Sequence, residues 1–240
     1  MVPGRRTSVI PPANQLLARL PADDLQRLQP FLMTVPLHAR QLLQKQGERV
    51  QHVYFPNSGI VSMATVLADG AVVEAATIGD DGLAGVEAFF TGNAVSPCET
   101  IVQVSVPHES AEMMTVKDFR RAIADHVTLR DLVAQYAQAL HAQVVRLTAC
   151  NARHEVNERC ARWLLTAHDH MHGHDFRLSQ EFLAVMLGVR RQSVNAVAAT
   201  FQAAGFIRYV HGHMAILDRK GLEQASCECY AAIRATYARM

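Results

Sequence analysis

Arg190, Arg191, Gln192 and Asn195 lie within six residues and carry the side chains that read base edges in a DNA duplex. Arg can meet guanine O6 and N7 with two hydrogen bonds, and Gln or Asn can do the same for adenine. They sit in Leu178–Ile207, which the spacing of apolar residues divides into a helix, a tight turn and a second helix. Ser179 is placed to cap the first helix, and Glu181 puts negative charge near its positive end. Leu183, Met186 and Leu187 form its apolar stripe, and Gly188 allows the turn. Val194, Val197, Ala198 and Phe201 fall at i, i+3, i+4 and i+7, so the second helix buries them and shows Arg191, Gln192, Asn195 and Ala199. Two arginines at a helix N-terminus oppose the macrodipole, at about 0.3–1 kcal/mol each. Folding gives no reason for that arrangement; a major groove does, because the start of the second helix is what reaches base edges in a helix-turn-helix. The competing reading is an ordinary helical pair with two solvated arginines.

The next residues favour the groove. In Phe206–Leu217, Ile207, Tyr209, Met214 and Ile216 alternate with polar or small residues, and His211-Gly212 suits the bend of a hairpin. Such a wing would lay Arg208, His211 and His213 along the phosphate backbone.

With helix, turn, second helix and wing in this order, residues from about 152 to 225 resemble the DNA-binding domain of the CRP/FNR superfamily (cyclic AMP receptor and fumarate-nitrate regulator type). The segment Gly188–Val194, GVRRQSV, corresponds to its turn and recognition-helix start, with Arg191 in the place of the guanine-reading arginine. The family commonly has Ser where Arg190 stands, so the cap of the second helix departs from the pattern. The resemblance implies a DNA-contacting set of Arg190, Arg191, Gln192, Ser193, Asn195, Arg208, His211 and His213.

The elements that would position this set begin with a Pro-rich segment at 1–13, then one or two short helices over Gln15–Leu32. From Met33 the period shortens. Apolar runs at 33–37, 50–55, 60–67, 71–78 and 100–106 alternate with turn signals, which describes an antiparallel barrel or jelly roll. Asp69-Gly70 between two such runs marks a hairpin. From Val116 to about His172 the pattern is helical. Leu129, Val133, Tyr136, Leu140, Val144, Leu147 and Asn151 step by three and four, the seam of a coiled-coil-like contact. That seam can pack on its own roll, or against a twin in a homodimer as the resemblance implies; the expectation here is the dimer. Trp163, Leu164 and Leu165 are expected in the core, and one helix over Arg219–Ala238 is expected to close the chain.

The expected fold is therefore α+β: a jelly-roll-like β-roll sensor domain (1–125), a dimerisation helix (126–151) and a winged helix-turn-helix domain (152–240). The roll resembles the same superfamily's sensor in Gln46-Gly47-Glu48, Gly59 and Gly79–Gly85. It departs where a cyclic nucleotide would bind. Val86 of Gly85-Val86-Glu87 stands in place of the ribose-binding carboxylate, and no arginine lies between Arg49 and Arg120 to hold a phosphate. Cyclic AMP is not expected as the ligand, which leaves an unidentified small-molecule effector open.

Composition and charge fit this reading. Half of the 240 residues are hydrophobic and 19% are charged, as in ordinary globular proteins. Residues 1–149 hold 12 Lys and Arg against 14 Asp and Glu, whereas 150–240 hold 11 against 8, so positive charge gathers in the part expected to meet DNA. Five cysteines at irregular spacing make no disulfide framework, and Cys227 and Cys229 on one helix would face different sides. The superfamily's iron–sulfur branch needs cysteines near the N-terminus, and none precedes Cys98. His168, His170, His172 and His174 alternate as metal ligands can, although Gly173 makes a solvated loop the plainer reading. No cofactor, metal or catalytic residue is expected, since no Walker loop, dinucleotide fingerprint, nucleophile elbow or HExxH motif occurs. Without an apolar leader or a span free of polar residues, the expectation is a cytoplasmic bacterial regulator with no membrane contact. Its expected partners are double-stranded DNA, a second copy of itself and, by resemblance, RNA polymerase. The alternative is a sensing or interaction protein whose helix-turn-helix no longer binds DNA.

Overall fold

Leu16 and Leu17 of a short helix α1 (Gln15–Ala18), Leu25 and Leu28 of α2 (Ala22–Leu28), and Leu20 between them are buried in one core cluster with the roll. The structure, a computed structural model, describes residues 13–104, 109–172 and 175–240. The Pro-rich segment before residue 13 and His174 lie outside these.

Seven strands follow: β1 (Met33–Pro36), β2 (Leu42–Gln44), β3 (His52–Pro56), β4 (Ile60–Val66), β5 (Val72–Ile78), β6 (Glu99–Val104) and β7 (Ser110–Thr115), with a one-turn helix α3 (Glu87–Phe90) between β5 and β6. They pair antiparallel in two sheets, β1-β7-β3 and β2-β6-β4-β5, whose facing side chains form the core of the roll. Asp69-Gly70 turns β4 into β5, with Gly70 at φ +83° and the Asp69 carboxylate accepting from the Ala71 amide. The apolar-run reading missed β2, which is three residues long, and β7, whose SAEMMT carries a glutamate in mid-strand.

Three helices then cross the molecule: α4 (Val116–Asp125), α5 (Val127–Arg153) and α6 (Val156–His170). At about 1.5 Å per residue α5 is about 40 Å long. Its seam is not where a twin could reach it. Leu129, Val133, Tyr136 and Leu140 are buried, and Val144 half-buried, against the chain's own roll, and Leu147 is buried as well. Tyr136 Oη donates to the Leu83 carbonyl at 2.9 Å, and Gln143 Nε2 to the Thr77 carbonyl at 3.2 Å. The expected dimer interface is thus corrected. These side chains gain more by sealing the open end of the roll, where Tyr136 loses all its exposure, than a two-helix seam would give them. The face left to solvent carries Ala134, Gln138, His141, Val145, Ala149 and Ala152, again at steps of three and four.

Beyond α6 come β8 (Phe176–Arg177), α7 (Gln180–Leu187), α8 (Arg191–Ala203), β9 (Ile207–Val210), β10 (His213–Ile216), α9 (Arg219–Ala225) and α10 (Cys229–Tyr237). The single C-terminal helix expected over Arg219–Ala238 is two. The chain leaves helical geometry at Ser226, whose hydroxyl bonds back to the Glu223 carbonyl, and α10 starts again at Cys229. Trp163, Leu164 and Leu165 are buried in the core of this half, with Val194, Phe201 and Ile207.

Candidate nucleic-acid interface

Ser179 Oγ accepts from the Phe182 amide and caps α7, as its sequence position required. Leu183, Met186 and Leu187 face inward. Gly188 closes the helix at φ +62°, a left-handed conformation that a side chain would strain. Val194, Ala198 and Phe201 anchor α8 from beneath, with Val197 half-buried beside them. The opposite side of the first turn therefore projects outward.

Arg190, Arg191, Gln192 and Asn195 are all exposed, and Ser193 is half-buried. Arg190 occupies the N-cap in extended conformation and makes no side-chain cap bond. The helix thus begins without a side-chain cap and with two guanidiniums, its Ser193 amide donating to the Arg190 carbonyl, and no acidic residue occurs in it. The local cost foreseen from sequence is present in the fold.

In the wing, β8, β10 and β9 form one antiparallel sheet. His211 at φ +48° and Gly212 at φ +80° make the turn between β9 and β10, two successive left-handed residues as a tight hairpin requires. Arg208, His211 and His213 are exposed. Arg208 approaches Asp175 at 3.8 Å with both side chains largely in solvent, a pairing too wet to withhold the guanidinium from a phosphate. The wing is fixed to the helices by the Tyr209 amide donating to Gln202 Oε1 and by Tyr209 Oη donating to the Leu178 carbonyl. Arg177, directly across from His213, adds an exposed cation that sequence reasoning left out, because a two-residue strand has no periodicity to detect.

Among the described residues the alternating histidines divide between two sites. His170 and His172 turn to Asp80 of the roll, at 3.4 and 3.2 Å, whereas His168 Nδ1 meets Arg219. In the roll, Val86 is buried and Glu87 Oε2 is buried with no hydrogen-bond partner. Burial raises the Glu87 carboxyl above its ordinary range and pushes the nearby Cys98 thiol up to about 11.

A roll joined by a long helix to a winged helix-turn-helix defines a two-domain DNA-binding transcription regulator. Residues 34–125 match the cyclic nucleotide-binding domain and 158–225 the Crp-like helix-turn-helix domain, together about two thirds of the chain. The chain belongs to the CRP/FNR superfamily. Its fold is that of FixK2 from Bradyrhizobium japonicum, at 16% identity and TM-score 0.63 over 82% of this chain and 98% of that one. A CRP-family transcriptional regulator from Thermus thermophilus is similar at 20% identity and TM-score 0.64, over 81% and 96%. The c-di-GMP-responsive global regulator CLP of Xanthomonas campestris is similar at 16% identity and TM-score 0.63, over 82% and 99%. No curated protein matches the sequence. Among the described residues no helix is long and apolar enough to cross a membrane.

Proposed function

We propose that this regulator reads a pseudo-palindromic DNA site as a homodimer and does so without a cyclic nucleotide. The observation that carries the reading is the exposed start of α8, where Arg190, Arg191, Gln192 and Asn195 stand together above a helix anchored by Val194, Ala198 and Phe201. Inserted in the major groove, Arg191 contacts a guanine and Gln192 or Asn195 an adenine, while Arg208, His211, His213 and Arg177 rest on phosphates. The inward packing of Leu129 through Leu147 moves the dimer seam to the outer face of α5, along Ala134, Gln138, His141, Val145 and Ala149. Val145 is 56% exposed there, an apolar side chain that a partner helix would cover. Two copies related by a two-fold axis place their recognition helices about one helical turn of DNA apart. Cyclic-nucleotide independence rests on Val86, on the buried Glu87 Oε2 that has no hydrogen-bond partner and on the absence of an arginine between Arg49 and Arg120.

Selection from random duplexes, without and then with cyclic AMP, tests all three parts. The expected product is one inverted repeat, enriched equally in both conditions and shifted as a complex of two chains. Failure to enrich any sequence would overturn the groove assignment, and enrichment only with the nucleotide would overturn the reading of the cassette.

A further inference from the structure

Cys150, Cys227 and Cys229 form a small buried cluster apart from the main cores, and His154 joins it. Cys150 lies in the last turn of α5, and His154 is the residue that ends that helix. Cys227 lies in the break between α9 and α10, and Cys229 is the first residue of α10. The break is what brings the two C-terminal cysteines together. On a continuous helix they would point apart, whereas either side of a helix start they turn to the same place.

We propose that these four residues bind one zinc ion in a tetrahedral Cys3His site. The spacing fits. At a Zn–S bond of about 2.3 Å, tetrahedral sulfurs stand about 3.8 Å apart, and a sulfur and an imidazole nitrogen about 3.5 Å. Cys150 Sγ and Cys227 Sγ are 3.6 Å apart, Cys229 Sγ and His154 Nδ1 are 3.7 Å apart, and all four ligand atoms lie within 4.8 Å of one another. A disulfide would need its two sulfurs at about 2.05 Å. An iron–sulfur cluster would spread its ligands further than a single ion does.

Two features around the cluster are what a metal calls for and bare thiols do not. His154 turns Nδ1 to the sulfurs and Nε2 to Glu228, at 3.2 Å. That carboxylate fixes the tautomer whose lone pair faces the ion, the usual support of a metal-binding histidine. Arg159, buried on α6 with its Nε unpartnered, has Cys150 and Cys227 as its electrostatic neighbours, and Arg162 is a further neighbour of Cys150. Binding removes one proton from each thiol, so Zn2+ with three thiolates and a neutral imidazole carries one negative charge. Arg159 then faces a countercharge, where three neutral thiols would give it none, while Arg162 also has the Glu74 carboxyl as a neighbour. Soft thiolates with one imidazole suit zinc over magnesium or calcium.

The ion would fasten α10 and the loop before it to the point where α5 passes into α6. This is a structural site at the hinge between the central helix and the DNA-reading half, and it does not depend on DNA binding. Full-length protein, reduced and never exposed to a metal-affinity resin, should bind one equivalent of Co(II). The expected signature is sulfur-to-cobalt charge transfer with tetrahedral d–d bands, displaced by Zn(II). Cys98→Ser and Cys160→Ser should keep the spectrum, Cys229→Ser should lose it, and His154→Cys should keep it with red-shifted d–d bands. Chelation of the wild-type protein should speed trypsin cleavage beside Arg153 by about tenfold or more. Wild-type protein that takes up no stoichiometric cobalt or zinc would overturn the proposal, as would an unchanged spectrum in Cys229→Ser. So would a metal-supplied protein that instead loses two hydrogens to a Cys150–Cys227 disulfide.

Discussion

Arg190 and Arg191 are neighbours with separable roles. Arg190 holds the N-cap of α8 without capping it. Arg190→Ser should therefore raise stability by about 0.5–2 kcal/mol, read in thermal or denaturant unfolding, while weakening DNA binding through the lost cation. A variant no more stable than wild type would mean that the amides at the start of α8 are already satisfied. Arg191→Ala should cost about 1–3 kcal/mol of specific affinity and relax preference at one base pair per half-site. Arg208→Ala should weaken all duplexes alike and reduce the salt slope by about one. Equal affinity of wild type and Arg191→Ala for the selected operator would remove that residue from the groove. Much at this scale was legible in sequence, because a cap at Ser179, a left-handed turn at Gly188 and a bend at His211-Gly212 obey rules acting over three or four residues. The cysteines were not legible. Their meeting depends on where α9 ends and on a chain separation of 77 residues between Cys150 and Cys227.

At the scale of elements, α5 shows why a heptad-like pattern is ambiguous. Both its faces repeat at three and four, one through Leu129 to Leu147 and the other through Ala134 to Ala152. Sequence ranks the first as the better seam because its side chains are larger. The roll claims it for the same reason, since burying Tyr136 and four aliphatic side chains outweighs what Ala and Gln could offer there. The two faces should respond differently to one substitution. Leu140→Glu puts a carboxylate in the core and should unfold the protein or cost several kcal/mol. Val145→Glu should leave circular dichroism unchanged and lower melting only by the lost association, but convert a dimer to a monomer in light scattering, since like charges would meet across the two-fold axis. A Val145→Glu protein that remains dimeric would place the interface elsewhere. The short strands β2 and β8 escaped notice for a different reason: two or three residues cannot display a period, and only pairing to β6 and β10 makes them strands.

At the scale of the whole molecule, the DNA-reading half is docked on the roll through a partly polar seam. Trp163 Nε1 donates to Glu74 Oε1 at 3.0 Å, Ser62 donates to the other oxygen of that carboxyl, and Gln103 Nε2 reaches Met186 Sδ at 3.4 Å. Further along, His170 meets Asp80, and Gly79 has no side chain to stand between them. Burial pushes Glu74 up to about 7, against the opposing pull of Ser62, Arg162 and Trp163. Its folded pKa exceeds the unfolded value, so the folded state holds the extra proton. The stability this gives is complete below about 4.5 and is lost as pH rises through about 7. His170 moves the same way: burial lowers its pKa, but Asp81 and Asp80 together raise it above the ordinary value. Its contribution is present below about 6.5 and fades as pH rises through the raised value. Asp80 is opposed by burial yet held below its usual range by His170 and Gln15, so its share disappears only in acid, below about 3.9. The docked arrangement should therefore be firmest on the mildly acidic side of neutrality and loosen toward about pH 8, with Glu74 contributing up to about 3 kcal/mol of the difference. Glu74→Gln keeps an acceptor for Trp163 and carries no charge. It should flatten the fall in stability between about pH 5 and 8 and slow amide exchange in β5 and α7 at the higher pH. Parallel pH profiles for wild type and Glu74→Gln in denaturant unfolding would show that Glu74 does not set the hold between the two halves.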